Sequence, residues 1–285
     1  MLVRAPASSA NLGPGFDCLA LAVELPFWLS SEQGAPAHGA DAPDRPLRPA
    51  EPTHPAARAF RDAGGSPDQP LWWASGIPPG RGLGFSGAAR VAGAYLATRM
   101  TGLAPTESRE QAFEIAARLE GHSDNAAAST HGGFVVSTGQ TVVPIEAPHG
   151  LCTVTWSPSA ETSTDASRSS LPRTVSLDDA AFAVGRACLW VAAMCAGRPE
   201  LTRPACEDRL HQPTRLGARP DSAAALEFLL GRDDVYSAWL SGSGPTVAAL
   251  VDHEDAATVA TGVELVGPGG EVRVLRIDVA GVNES

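Results

Sequence analysis

Apolar residues fall in short blocks along the chain, and the period of the blocks changes from one to the next. "MLVRAPA" (1–7) predicts an opening strand, followed by the turn-rich "SSANLGPGFDCLALAVEL" (8–25), which ends as a strand or a buried run. "PAARAFRDAGG" (55–65) has helical spacing and a glycine stop, and "PLWWASGI" (70–77) reads as a strand. Residues 86–100 are dominated by small apolar side chains and predict a buried helix; "TESREQAFEIAARLEG" (106–121) is amphipathic. "GGFVVST" (132–138), "TVVPIE" (141–146) and "LCTVTWS" (151–157) follow as strands. "LDDAAFAVGRACLWVAAMCAG" (177–197) is the longest apolar helix, with two more expected around 201–211 and 221–231. "VYSAWLSGSGPTVAALVD" (235–252) reads as strand, glycine loop, strand, and a helix near 254–265 with the strand "EVRVLRIDV" (271–279) closes the order. Strands and helices mix without regular alternation, which favours an α+β fold. Residues 33–54 carry Pro, Ala, Gly and Asp with no apolar period and predict a loop.

Composition changes this picture in one respect. The 285 residues allow one large or two small domains, and 44% hydrophobic with 19% charged residues is ordinary for a globular chain. No apolar run approaches a membrane span, and "MLVRAPASSANLGPGFD" lacks the apolar core of a secretory signal. The five cysteines are scattered and odd in number, which predicts reduced thiols and a cytoplasmic protein. A net charge of −11 argues against a nucleic-acid partner. The informative feature is that all 21 basic residues are arginine. A phosphate loop that depends on lysine, or a lysine Schiff base, is therefore excluded.

That exclusion sharpens the reading of "IPPGRGLGFSGAA" (77–89). A strand enters it and a helix of small residues leaves it. Its glycines let the backbone turn and approach a ligand closely. The N–H groups and dipole of the next helix make an anion site, which is how phosphates are held without lysine. Ser86 is the hydroxyl placed to meet a metal ion on those phosphates. A tight strand-to-helix turn that only packs is the alternative.

Four segments in this order, "APASSANLGPGFD" (5–17), "IPPGRGLGFSGAA" (77–89), "LEGHSDN" (119–125) and "SGSGPTVAAL" (241–250), resemble the GHMP kinase superfamily and, within it, the homoserine kinases. The resemblance spans nearly the whole chain. It implies an N-terminal domain like ribosomal protein S5 domain 2 over residues 1–148 and a ferredoxin-like domain over 149–285. It implies transfer of the ATP γ-phosphate to the side-chain hydroxyl of L-homoserine, a step of threonine biosynthesis, with ATP and Mg²⁺ required. A small molecule is then the partner; nucleic acid and membrane are not, and a homodimer is compatible. A kinase for another hydroxylated acid, or a binding paralogue without turnover, are the alternatives.

The resemblance also distributes roles. Pro78, Pro79, Gly80, Arg81, Gly82, Leu83, Gly84, Phe85, Ser86, Gly87 and Ala88 would wrap the nucleotide. Ser86 and Glu120 would hold the metal, hydroxyl and carboxylate oxygens suiting a hard cation; Glu114 is a rival if the helix register differs. Asn11, Asp17, His122, Asp124, Arg168, Arg215, Gly242 and Ser243 would bind the amino acid, with the two arginines gripping its carboxylate. Asp17 would orient the reacting hydroxyl and Asn125 hydrogen-bond the reacting groups. Positioning and charge neutralisation dominate such a transfer, and the resemblance to homoserine kinases implies that no dedicated base is used.

Three departures stand out. Phe85 replaces the first serine of the loop, and its ring is expected to be dispensable because the loop works through backbone N–H groups. "EGHPDN" has become "EGHSDN". Residues 33–54 lack a strand pattern, which suggests a rebuilt adenine pocket with Trp72, Trp73 or Phe27 nearby.

Overall fold

A computed structural model describes residues 1–33, 45–139, 141–267 and 269–284. Its order begins with β1 (Leu2–Asn11) and β2 (Gly15–Ser30), then β3 (Arg48–Pro49), α1 (Pro55–Asp62), β4 (Trp72–Ser75), α2 (Phe85–Met100), α3 (Pro105–Glu120) and α4 (Asp124–His131). Next come β5 (Phe134–Thr138), β6 (Thr141–Ile145), β7 (Leu151–Ser157), α5 (Thr164–Ser169), α6 (Leu177–Cys195) and a 3₁₀ turn at Pro199–Leu201. The chain continues through α7 (Thr202–Ala205), α8 (Gln212–Gly217), α9 (Pro220–Leu230), β8 (Ser237–Leu240), β9 (Val247–Asp252), α10 (Ala256–Val266), β10 (Glu271–Arg276) and β11 (Asn283–Glu284).

The strands form two sheets. One runs β11-β1-β2-β4-β3, with β5 also on β2 and β6 on β5; the other runs β10-β7-β9-β8. Every pairing is antiparallel, as expected of α+β proteins in which helices cover one face. Helices α2 and α4 pack on β1 and β2, and α1 and α3 pack on α2. Small residues make this possible: Ala88, Ala89, Ala92 and Ala94 of α2 are wholly buried, so neighbouring backbones come close on several sides.

The second sheet has its own core with α9 and α10. A third apolar cluster joins the sheets: Leu19, Leu21 and Phe134 from the first, with Leu12 of the β1–β2 turn, meet Trp239 and Leu250 from the second around Trp190 and Met194 of α6. These residues alternate along their strands with those that face the helices, so the sheets are joined through their second faces, and the glycine loops of both meet nearby.

Two expectations change. The helix expected at 201–211 shrinks to the single turn of α7, residues 206–211 are not helical, and α8 begins only beyond it. The Asp208 carboxylate accepts hydrogen bonds from the N–H groups of Leu210, His211 and Gln212 at 2.8, 2.9 and 2.7 Å, which starts a new helix with Pro213 in its first turn. The stretch 33–54 is not wholly without strand. Residues 34–44 lie outside the described residues, but Arg48 and Pro49 pair with Trp73 and Trp72.

Candidate functional site

The three glycine-bearing segments clasp one another. The Ser241 Oγ donates to the Gly82 carbonyl at 2.6 Å and lies 2.8 Å from Ser9 Oγ, which accepts from Trp239 Nε1 at 2.9 Å. Gly242 N–H donates to the Ala10 carbonyl at 3.1 Å, and Ser8 N–H to the Leu83 carbonyl at 3.3 Å. Close approach demands glycine at two places. At Gly82 (φ +81°) a Cβ would stand 2.3 Å from the Ser241 carbonyl oxygen, and at Gly84 (φ +69°) 2.0 Å from Ser8 Oγ.

Gly84 is the N-cap of α2, and no side chain caps the helix. Its first-turn N–H groups are left for a ligand, with the dipole favouring an anion. Gly84, Phe85, Ser86 and Gly87 all line a cavity of about 370 Å³, as do Pro78, Gly80, Arg81 and Gly82. Leu83 and Ala88 instead point into the core, and Pro79 is not among the lining residues.

The Phe85 ring has packing partners that its sequence context does not show. It lies edge-on to Phe27, Trp73 and His54, at centroid distances of 5.7, 5.7 and 6.0 Å. Phe27 and Trp73 themselves stack at 5.5 Å, so both are spent on the core and neither lines the cavity; Trp72 does not line it either. The Phe85 ring thus fastens the N-terminus of α2 to the sheet.

At the far end of the cavity the turn from β1 to β2 is held in an uncommon conformation. Asn11 and Asp17 have φ of 72° and 57°, values few side chains adopt. The Asn11 amide explains how they persist: its Oδ1 accepts from Asp17 N–H at 3.1 Å and its Nδ2 donates to the Gly242 carbonyl at 2.9 Å. Asp17 is presented to the cavity and takes a bidentate grip from Arg168 on α5, at 2.7 and 2.8 Å. That hydrogen bonding raises the pKa of the Arg168 guanidinium.

His122 and Asp124 stand alongside. His122 Nδ1 is 2.9 Å from Asp124 Oδ1. Burial opposes the imidazolium, but the hydrogen bond and charge of Asp124, helped by Glu120 and Asp17, outweigh it and raise the pKa of His122. Asn125 receives a hydrogen bond from Ser8 Oγ on its Oδ1 at 2.8 Å and donates to Asp124 through Nδ2 at 3.0 Å, linking the two ends of the cavity.

Arg215 on α8 is buried. Its Nη1 donates to the Gly242 carbonyl at 3.1 Å and to His211 Nδ1 at 3.0 Å. His211, fully buried, then carries its proton on Nε2 and donates it to the Gly13 carbonyl at 2.8 Å. Burial lowers the pKa of His211, in keeping with a neutral ring, and burial followed by the nearby Arg168 lowers that of Arg215. The Arg215 Nε has no partner among the described residues and the residue lines the cavity, which makes it a donor in wait. Gly242 and Ser243 line the same wall.

Glu120, the last residue of α3, has a nearly buried side chain that lines the cavity opposite Ser86. Burial raises its pKa. Its Oε2 has no hydrogen-bond partner among the described residues, an arrangement that fits a cation ligand. The rival Glu114 is exposed and lies outside this cavity.

Sequence reasoning missed Arg90, Thr162, Thr164 and Asp165, which also line the cavity. Only Arg90 left a signal, four residues after Ser86 and so on the same helix face.

A phosphate-ready helix start joined to a carboxylate-and-arginine pocket defines a small-molecule kinase, and the comparisons agree. Residues 53–133 match the family model of the GHMP kinases N terminal domain, and 190–268 that of the GHMP kinases C terminal. The chain belongs to the GHMP kinase family. It is 39% identical to a homoserine kinase of Thermus thermophilus over 280 residues, 95% of this chain and 94% of that protein. It is 39% identical to a homoserine kinase of Streptomyces avermitilis over 293 residues, 99% of this chain and 94% of that one. The crystal structure of a homoserine kinase from Cytophaga hutchinsonii superposes with a TM-score of 0.80 at 24% identity, covering 99% of this chain and 96% of the other. No helix among the described residues is long and apolar enough to cross a membrane.

Proposed function

We propose that this chain uses ATP to phosphorylate the side-chain hydroxyl of L-homoserine, giving O-phospho-L-homoserine, within the threonine branch of amino-acid synthesis. The carrying observation is the continuity of one cavity from the open N-terminus of α2 to the Asp17, His122, Asp124 and Arg215 side chains. Phosphates belong at the first end, where backbone N–H groups and the helix dipole meet negative charge. A zwitterion belongs at the other, where Arg215 donates to a carboxylate and Asp17 accepts from an ammonium or hydroxyl.

Under this reading Pro78 to Ala88 form the nucleotide loop, Asp17 orients the acceptor hydroxyl, and Asn125 keeps Ser8 and Asp124 in register between the two substrates. Residues 1–148 carry the nucleotide and 149–285 supply the Arg168, Arg215 and Gly242 side of the acceptor pocket. Ser86 and Glu120 would hold Mg²⁺; the unpartnered Glu120 Oε2 and the facing hydroxyl supply the hard oxygens such an ion takes. That ion supplies charge neutralisation for the phosphates when bound. The protein's share is to align the acceptor and the γ-phosphate and to shield them from water.

The test is a panel of small hydroxylated acids, homoserine among them, incubated with ATP and Mg²⁺ and scored by ADP release and by the mass of the product. Preferential phosphorylation of homoserine supports the reading. Turnover of another hydroxy acid in its place, or none with any, refutes it.

A further inference from the structure

Arg90 lies one helical turn after Ser86 on α2. Its Nη1 donates to Ser86 Oγ and, at 2.6 Å, to Glu120 Oε1. The Arg90 side chain is 22% exposed and that of Glu120 only 6%. The two oxygens that converge on this spot come from different helices, α2 and α3, and a single guanidinium nitrogen bridges them. Glu120 Oε2 remains buried and unpartnered beside it. A planar, singly charged donor therefore satisfies half of a carboxylate and leaves the rest of the site wanting a second positive contact.

We infer that Arg90 is the resident cation of the Ser86–Glu120 site: it holds the two oxygens together in the ligand-free protein, and a divalent ion enters by displacing its guanidinium. The inference rests on the reading of Ser86 and Glu120 as metal ligands. An ion that takes Glu120 Oε2 together with Ser86 Oγ needs the hydroxyl oxygen that Arg90 Nη1 already occupies, and two cations cannot stand at contact distance from one oxygen without strong repulsion, so one must leave. The long arginine stem can swing while its root stays on the helix. Arg90 already lines the cavity beside Gly84, Ser86 and Gly87, so its guanidinium is freed next to the place proposed for nucleotide phosphates. A divalent ion arriving alone finds the site taken and the displaced charge without a new partner. One arriving with phosphates brings that partner. Arg90 thus couples metal entry to nucleotide entry and sets the divalent concentration that the empty protein requires.

The test follows metal binding to the nucleotide-free protein directly. Mn²⁺ is titrated into wild type, Arg90→Met, Arg90→Gln and Arg90→Met/Glu120→Gln at matched ionic strength, with free Mn²⁺ read by electron paramagnetic resonance and melting followed in parallel. Both single variants should bind Mn²⁺ at least about tenfold more tightly than wild type. Melting of each should rise with MnCl₂ and not with matched NaCl, and the added Glu120→Gln change should abolish the gain. Arg90→Gln keeps a donor near both oxygens and guards against a fold that cannot bear methionine. Unchanged or weaker Mn²⁺ binding by a folded Arg90 variant overturns the inference. Mn²⁺–ATP binding by Ser86→Ala and Glu120→Gln separates the two readings: if neither is weakened, the metal-ligand assignment itself fails. If both are weakened while the Arg90 variants bind Mn²⁺ as wild type does, only the role of Arg90 fails.

Discussion

The two arginines expected to clamp the acceptor carboxylate occupy different physical situations, and that difference gives a quantitative prediction. Arg215 is 6% exposed and is fixed by His211 and by the Gly242 carbonyl, with its Nε unpaired. The Arg168 side chain is 42% exposed and already committed to Asp17. Removing Arg215 leaves a bound carboxylate against a buried wall without its partner, which costs about 2–5 kcal/mol. At about 1.4 kcal/mol per factor of ten, Arg215→Ala should raise the KM for homoserine roughly 30- to 4,000-fold while the KM for ATP changes little. Removing Arg168 gives up an exposed ion pair of about 0.2–1 kcal/mol and frees the Asp17 carboxylate to receive the substrate ammonium. Arg168→Ala should therefore shift the homoserine KM by less than about tenfold, against the sequence-based expectation that both arginines act alike.

Steady-state kinetics with each substrate varied in turn supply the numbers. Truncating Arg215 also strips a donor from His211 Nδ1 and from the Gly242 carbonyl, so melting curves and nucleotide binding must be taken alongside to separate lost folding from lost recognition. An Arg168→Ala variant more damaged for homoserine than a folded Arg215→Ala variant would refute the argument. So would an Arg215→Ala defect confined to ATP.

Three further outcomes follow from the same geometry. Gly84→Ala should abolish binding of a non-hydrolysable ATP analogue, because its Cβ would meet Ser8 Oγ at 2.0 Å in a left-handed conformation; retained binding measured by calorimetry would show that the loop is not the phosphate site. Phe85→Ser should lower stability by about 1–3 kcal/mol, since a half-buried ring in contact with three others is lost, and a denaturant midpoint equal to wild type would disprove the anchoring role. His54 has its pKa lowered to about 4 by burial and by Arg48, while its Nδ1 accepts the Ala56 N–H that caps α1. The unfolded chain takes up that proton at about pH 6.5 and the folded chain only near 4. Stability from this group is thus full above about pH 6.5 and falls by about 1–3 kcal/mol on the way down to pH 4, and His54→Gln should flatten that slope in urea titrations at stepped pH.

Much of this was legible because periodicity and punctuation are local. The switch from alternating to helical spacing located β1, β2, α2 and α3, and the glycine pattern located the loop where Gly82 and Gly84 permit close approach. What was illegible depends on partners far apart in sequence. Nothing local says that Arg168 closes on Asp17 across 151 positions, or that the Phe85 ring finds Phe27 and Trp73 rather than the nucleotide. The break inside 201–211 was in principle visible, since Asp208 and Pro213 together spell a helix start, but the helical run around them masked it. Glu120 and Glu114 could not be ranked from spacing alone. The register of α3 decides, and it turns Glu120 toward Ser86 and Glu114 toward solvent.

The pairings also bear on why a chain without lysine suits this site. Each acidic group expected to meet ligand is already matched by a basic group of the protein: Asp17 by Arg168, Asp124 by His122, Glu120 by Arg90. Substrate and metal then enter by exchange of partner rather than by stripping water from a bare carboxylate, which reduces the desolvation that binding must overcome. Exchange also requires that the displaced base keep its charge in a half-dry cavity. Guanidinium does so, whereas an ammonium sheds its proton readily on burial. Arginine at 90 and 168 can therefore leave an acid and still meet an incoming phosphate or carboxylate as a cation. On this view, the three ligand-facing acids of the cavity are matched before ligand arrives, and their partners' charges become available in step with the groups that need them.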